Sequence, residues 1–155
     1  MMRENFESSL SNLREFEGFK SNDPLDPGGA TVHGIARTFY PTIPWPPTWE
    51  EAKAIYLQDY WIKGGCDDLP FPMDVIHLDG MVNPGPGAAA KFLMWSSEHK
   101  DPLRRAVEYL VCRQEYYLER VVKRPANTTY ICGWMARTLK MMRRTVINSW
   151  DAEVL

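Results

Sequence analysis

Proline and glycine gather in short clusters at 24–29, 41–47, 64–65 and 83–87, and each cluster closes one run of periodically spaced apolar residues. Proline fixes φ and removes a donor, so a chain cut this way builds short elements joined by tight corners. The spacing between the clusters is helical. Phe6, Leu10, Leu13 and Phe16 recur at intervals of three and four, which gives a helix with one apolar face ending near Glu17. Thr48-Trp49-Glu50-Glu51 has the pattern of a capping box and opens a helix through about Tyr60, with Ala52, Ile55 and Tyr56 on its inner side. Val75, Ile76, Leu78, Met81 and Val82 form a further helix over 72–82. The Asn83-Pro84-Gly85-Pro86-Gly87 corner then precedes another helix from Ala88, which predicts a buried helical hairpin. Two more helices, about 101–122 and 129–147, meet at the loop 123–127. The expected class is mainly α.

The exception is the turn-rich segment that follows Glu17. Asp23-Pro24-Leu25-Asp26-Pro27-Gly28-Gly29 turns the chain back toward the helix end, and Thr31-Val32 begins a short β-branched run, so a small β-hairpin is expected beside that helix. Glu17 sits where the helix dipole is negative, a poor place for an anion and a suitable one for a carboxyl that must carry a proton. Cleavage of a glycosidic bond needs such an acid and a second group to steer water or form a covalent intermediate. Asp26, nine residues on, is the candidate for that second group. The Thr31 hydroxyl is a candidate to hold the water, and Gly34 permits a close approach of sugar or backbone.

These residues resemble the glycoside hydrolase family 108 N-acetylmuramidases, phage endolysins and bacterial relatives. The likeness rests on Glu17-Gly18-Phe19, Asn22-Asp23-Pro24, Asp26-Pro27-Gly28-Gly29-Ala30-Thr31, Gly34-Ile35, Tyr60-Trp61, Asp67-Asp68-Leu69-Pro70 and Val82-Asn83 leading into Gly85-Pro86-Gly87. Past residue 100, Arg113, Tyr116, Tyr117, Leu118, Gly133-Trp134 and Arg137 resemble the family's C-terminal peptidoglycan-binding segment. The resemblance implies a lysozyme-like helical fold, a catalytic region over 1–100, and a peptidoglycan-binding-like segment over 101–155 packed in the same globule. It implies hydrolysis of the β-1,4 bond between N-acetylmuramic acid and N-acetylglucosamine, with Glu17 as the acid. The chain departs from the family in having Phe19-Lys20 after Glu17-Gly18, and His33 where an asparagine is usual.

Substrate contacts are expected from five further residues. His33 follows Thr31 at the turn, and Tyr60 offers a ring on which the C–H face of a sugar can stack. Asp79 and Asn83 lie one helical turn apart and share a face. Trp134 sits among Arg113, Tyr116, Tyr117 and Arg137, a set able to hold glycan and peptide carboxylate together.

Charge is uneven. Residues 1–100 carry 8 basic and 14 acidic side chains, whereas 101–144 carry 10 and 4, so a basic C-terminal segment sits on an acidic body and suggests an anionic partner. Cys66, Cys112 and Cys132 show no paired spacing and are expected as free thiols, with neither metal nor cofactor implied. Gly85-Pro86-Gly87 followed by Lys91 lacks the spacing of a phosphate loop, so no nucleotide is expected. No apolar run approaches a membrane span, and the start of the chain lacks the apolar core of a signal peptide. The expected setting is therefore a monomer in the host cytoplasm, released to the wall with a holin, or a component carried with other virion proteins. Two other readings of the scaffold stand beside hydrolysis: a lytic transglycosylase using the glutamate alone, and a non-catalytic wall-binding or virion structural protein. Nucleic-acid binding through the basic helices is the weakest, since it leaves the Glu17–Thr31 motif without a use.

Overall fold

The computed structural model describes residues 2–17, 20–21 and 30–148, with side chains described over 5–17 and 30–148. Backbone contacts divide the chain into two compact units, Met1–Lys63 and Gly64–Leu155. The architecture is mainly α, lysozyme-like, with a small antiparallel sheet, as expected.

In the first unit, helix α1 (Met2–Glu17) is followed by strands β1 (Lys20–Ser21), β2 (Thr31–Val32) and β3 (Ile35–Ala36) in one antiparallel meander. Val32 pairs with Lys20 on one side and with Ile35 on the other, so β2 is the central strand. Helix α2 (Trp49–Ile55) runs directly into a wider π-helical turn, Tyr56–Ile62. The predicted capping box is present: Thr48 Oγ1 accepts from the Glu51 amide at 3.3 Å, and the Glu51 carboxylate accepts from the Thr48 amide at 2.7 Å. The apolar face of α1 is also as spaced, with Phe6, Leu10 and Leu13 buried. Phe6 meets the fully buried Trp61 edge-on at 5.4 Å, and a 2.8 Å ion pair between Lys53 and Glu7 ties α2 to α1 at the surface. Trp61 is therefore a core residue.

The second unit contains α3 (Met73–Val82), α4 (Pro86–Trp95), α5 (Pro102–Lys123) and α6 (Thr128–Met141), the last continuing through a π-helical turn at Met142–Ile147. Helix α3 is buried along nearly its whole length, Met73 to Met81, because α4 and α5 both pack against it. That is why its apolar residues follow no single stripe. The α3–α4 corner is the predicted hairpin. Gly80 lets α5 come close: a Cβ at this position would stand 2.2 Å from the Tyr109 hydroxyl. The same hydroxyl lies 3.0 Å from Nδ1 of the buried His77. Cys66 and Cys112 are buried free thiols and Cys132 is exposed. Burial pushes Cys66 up to about 12, so it stays protonated as a core residue. Among the described residues no helix is long and apolar enough to cross a membrane.

Burial in this core lowers His77 to about 4, with the nearby Arg105 charge acting in the same direction. The unfolded ring takes its proton near pH ~6.5, so the folded state holds fewer protons between the two values. Stability is full above about pH 6.5 and declines as pH falls toward about 4, by roughly 3 kcal/mol from this group. Urea titrations across that range are expected to show the decline in the wild type and to lose most of its slope in His77→Gln.

Candidate active site

Glu17 is the last residue of α1 and is half-buried. It faces the turn between β2 and β3. Residues 33 and 34 form a two-residue loop with φ of 53° at His33 and 75° at Gly34. Positive φ at both central positions is the I′ hairpin geometry, whose twist matches the flanking strands. Histidine tolerates this region better than most residues do, and glycine occupies it at no steric cost. A second reason requires glycine at 34. A Cβ there would lie 2.8 Å from both Cβ and Cγ of Glu17, and 2.3 Å from the Tyr56 hydroxyl. The close approach expected at Gly34 is thus made by the Glu17 side chain.

Tyr56, buried, donates a 2.8 Å hydrogen bond to the His33 carbonyl and anchors the turn from below. His33 is buried with its ring edge-on to Trp49 at 5.5 Å, and the Arg14 guanidinium lies 5.2 Å from the Trp49 ring centre. His33, expected as a substrate contact, sets its ring against Trp49. Thr31 is half-buried on β2, in register with Ser21 and Ala36. Asp26 lies outside the described residues.

Tyr60 shares the first unit with Glu17. Burial raises its phenol, and the charges of Asp59 and Glu17 raise it further. The Tyr40 hydroxyl donates to Asp59 at 3.2 Å, and Asp59 also receives Lys63, whose cation keeps that carboxyl below the usual range. Tyr60 therefore stays protonated, close enough to Glu17 to feel its charge, beside an ordered polar chain. Tyr40 comes from the Pro-rich segment 39–47, which has no helical periodicity.

In the second unit, Asp79 is buried, with both carboxylate oxygens occupied. Arg113 Nη1 donates to Oδ2 at 2.7 Å, and Arg137 donates from Nε to both oxygens at 3.1 Å and from Nη2 to Oδ1 at 2.8 Å. Burial alone would raise this carboxyl. The two guanidinium groups outweigh it and hold the group below the ordinary aspartate value. Asp79, expected as a substrate contact, spends its lone pairs on these buried partners. Arg113 and Arg137, read as part of an Arg-and-aromatic binding surface, are likewise internal.

Asn83 and Trp134, in contrast, meet in one pocket. A cavity of about 250 Å³ is lined by Asn83, Pro84, Tyr116, Tyr117, Arg120, Asn127, Tyr130 and Trp134. Trp134 stacks on Tyr117 at 4.9 Å and on Tyr130 at 5.8 Å. Arg120 lies over Tyr116 at 5.7 Å, so Arg120 supplies the cation that Arg113 and Arg137 do not. The Arg113 Nε donates to the Tyr117 hydroxyl at 2.9 Å, and that hydroxyl donates to Asn83 Oδ1 at 2.5 Å. Tyr130 was missed by sequence reasoning, although its spacing of four from Trp134 places both on one helix face. Among the described residues no group of three or more His, Cys, Asp or Glu is placed to hold a metal ion.

A helical protein with a small antiparallel sheet after its first helix has a lysozyme-like fold. Residues 10–85 match the family model of glycosyl hydrolase 108. The structure of SagA from Brucella abortus superposes with a TM-score of 0.77 at 23% identity, covering 92% of this chain and 94% of that one, a likeness of fold. No curated protein matches the chain.

Asp79→Ala is expected to leave two guanidinium groups buried without their counter-charge. The loss is about 3–5 kcal/mol of stability. Thermal unfolding of the variant, compared with a surface control such as Glu119→Ala that stays near wild type, checks it.

Proposed function

We propose that this glycosyl hydrolase is an N-acetylmuramidase that cuts the β-1,4 bond between N-acetylmuramic acid and N-acetylglucosamine in bacterial peptidoglycan. The observation that carries the reading is the setting of Glu17, a carboxyl at a helix C-terminus whose stem rests on the backbone of a glycine turn. In this reading Glu17 protonates the leaving glycosidic oxygen, Asp26 activates or steers the water, and Thr31 holds it. In the same reading Tyr60 offers a ring to the sugar. The pocket of the second unit supports the reading independently: stacked rings, two amides and one exposed arginine suit a glycan bearing acetamido groups and peptide carboxylates. The resemblance to endolysins extends the proposal to lysis of a bacterial host at the wall.

Purified wild type and Glu17→Gln, incubated with murein sacculi from about pH 4 to pH 8, test it. Reducing N-acetylmuramic acid ends are expected from the wild type, and Glu17→Gln is expected to fall by ~10²–10⁴ in turnover. Anhydro ends would make the enzyme a transglycosylase, and binding to sacculi without released ends would make it a wall-binding protein. Trp134→Ala, which removes the middle of the stacked rings, is expected to raise KM on sacculi about tenfold with kcat held.

A further inference from the structure

The two carbons of Glu17 nearest its backbone and the phenol oxygen of Tyr56 crowd the same point above Gly34. The point where a Cβ would stand on that residue is 2.8 Å from each of those carbons and 2.3 Å from the oxygen. The phenol also holds the carbonyl of the preceding residue, His33, at 2.8 Å. Its hydrogen bond thus draws down the loop whose backbone is the wall for Glu17. We infer that Tyr56 is a positioning residue for Glu17: through the His33–Gly34 turn it fixes the direction in which the carboxyl leaves its helix. This inference rests on the reading of Glu17 as the proton donor.

The physical need for such a device is plain. A glutamate side chain has three rotatable bonds and loses considerable freedom when it is held in one rotamer. It is the terminal residue of its helix, so no following helical turn is there to restrain it. A general acid displaced by about 1 Å loses roughly a hundredfold in rate. A wall of side chains would itself move, whereas a tight I′ turn pinned by a buried hydrogen bond does not. Tyr56 is 1% exposed, so its hydroxyl position is set by packing and does not depend on solvent. It also opens the π-helical turn Tyr56–Ile62, and this widened geometry puts Tyr56 and Tyr60 rings 5.7 Å apart. Single π turns inside α-helices are frequent at functional sites because they re-aim the side chains they carry. Here the turn serves Glu17 twice, through Tyr56 under the loop and Tyr60 within reach of the carboxyl's charge.

Tyr56→Phe keeps the ring and removes the hydrogen bond to His33. Steady-state kinetics on sacculi-derived glycan strands are expected to show kcat reduced roughly ten- to a hundredfold with KM unchanged, measured well below the variant's Tm. A residue that only supports the fold would lower Tm and leave kcat intact. The decisive measurement is the double variant. If Tyr56 acts through Glu17, adding Tyr56→Phe to Glu17→Gln costs nothing further in the residual rate, because groups that act as a unit are not additive. An equal loss in both backgrounds, a wild-type kcat for Tyr56→Phe, or a change confined to KM overturns the inference while Glu17 stands. Full activity in Glu17→Gln overturns the functional reading itself. Should Tyr56→Phe be unfolded at the assay temperature, both backgrounds are measured in the cold with a stabilising osmolyte, and a wild-type kcat there overturns the inference as well.

Discussion

The second unit depends on one buried carboxylate. Asp79 on α3 is gripped by Arg113 on α5 and Arg137 on α6, so a single anion joins three helices. Taking three charges out of water is expensive, and the cost is offset only when geometry and hydrogen bonding are nearly complete. Those conditions make the cluster demanding: each helix has one register in which both guanidinium groups reach the same carboxylate. The arrangement continues outward from Arg113 through the Tyr117 hydroxyl to Asn83, and Tyr117 in turn stacks on Trp134. The shape of the aromatic pocket is thereby inherited from the ion cluster beneath it.

The first unit applies the same logic with a hydrogen bond in place of charge. A buried phenol holds a tight turn, the turn presents a bare glycine backbone, and the glutamate stem lies against it. In both units the group that faces solvent is aimed by a polar contact one layer below, where rotamers are locked by packing. Sites built this way hold their geometry better than sites left to loops alone. Glycoside hydrolysis asks for this, since the acid must meet one oxygen along a narrow range of directions.

Much of the helical framework was legible because its signals are local. The face Phe6, Leu10, Leu13, the Thr48–Glu51 capping box and the 83–87 corner each depend on residues within one or two turns of one another, and each is present. Glu17 and its hairpin were legible for the same reason. The roles of Asp79, Arg113 and Arg137 were not, because a carboxylate 34 positions from one partner and 58 from the other leaves no periodic trace. Read singly, each looks like a polar group fit for a ligand. The ring contact of His33 with Trp49 was illegible for the same reason, since the two lie far apart in the chain.

By itself the sequence determined the helical class, the corners and the glutamate that closes α1. All of these follow from backbone stereochemistry and short-range periodicity, which act over a few residues wherever the chain goes. Only the tertiary structure decided which charged groups face inward, which rings share a pocket and which phenol stands behind Glu17. Those choices are settled by desolvation and packing between residues far apart in the chain, and neither quantity exists until the helices have met.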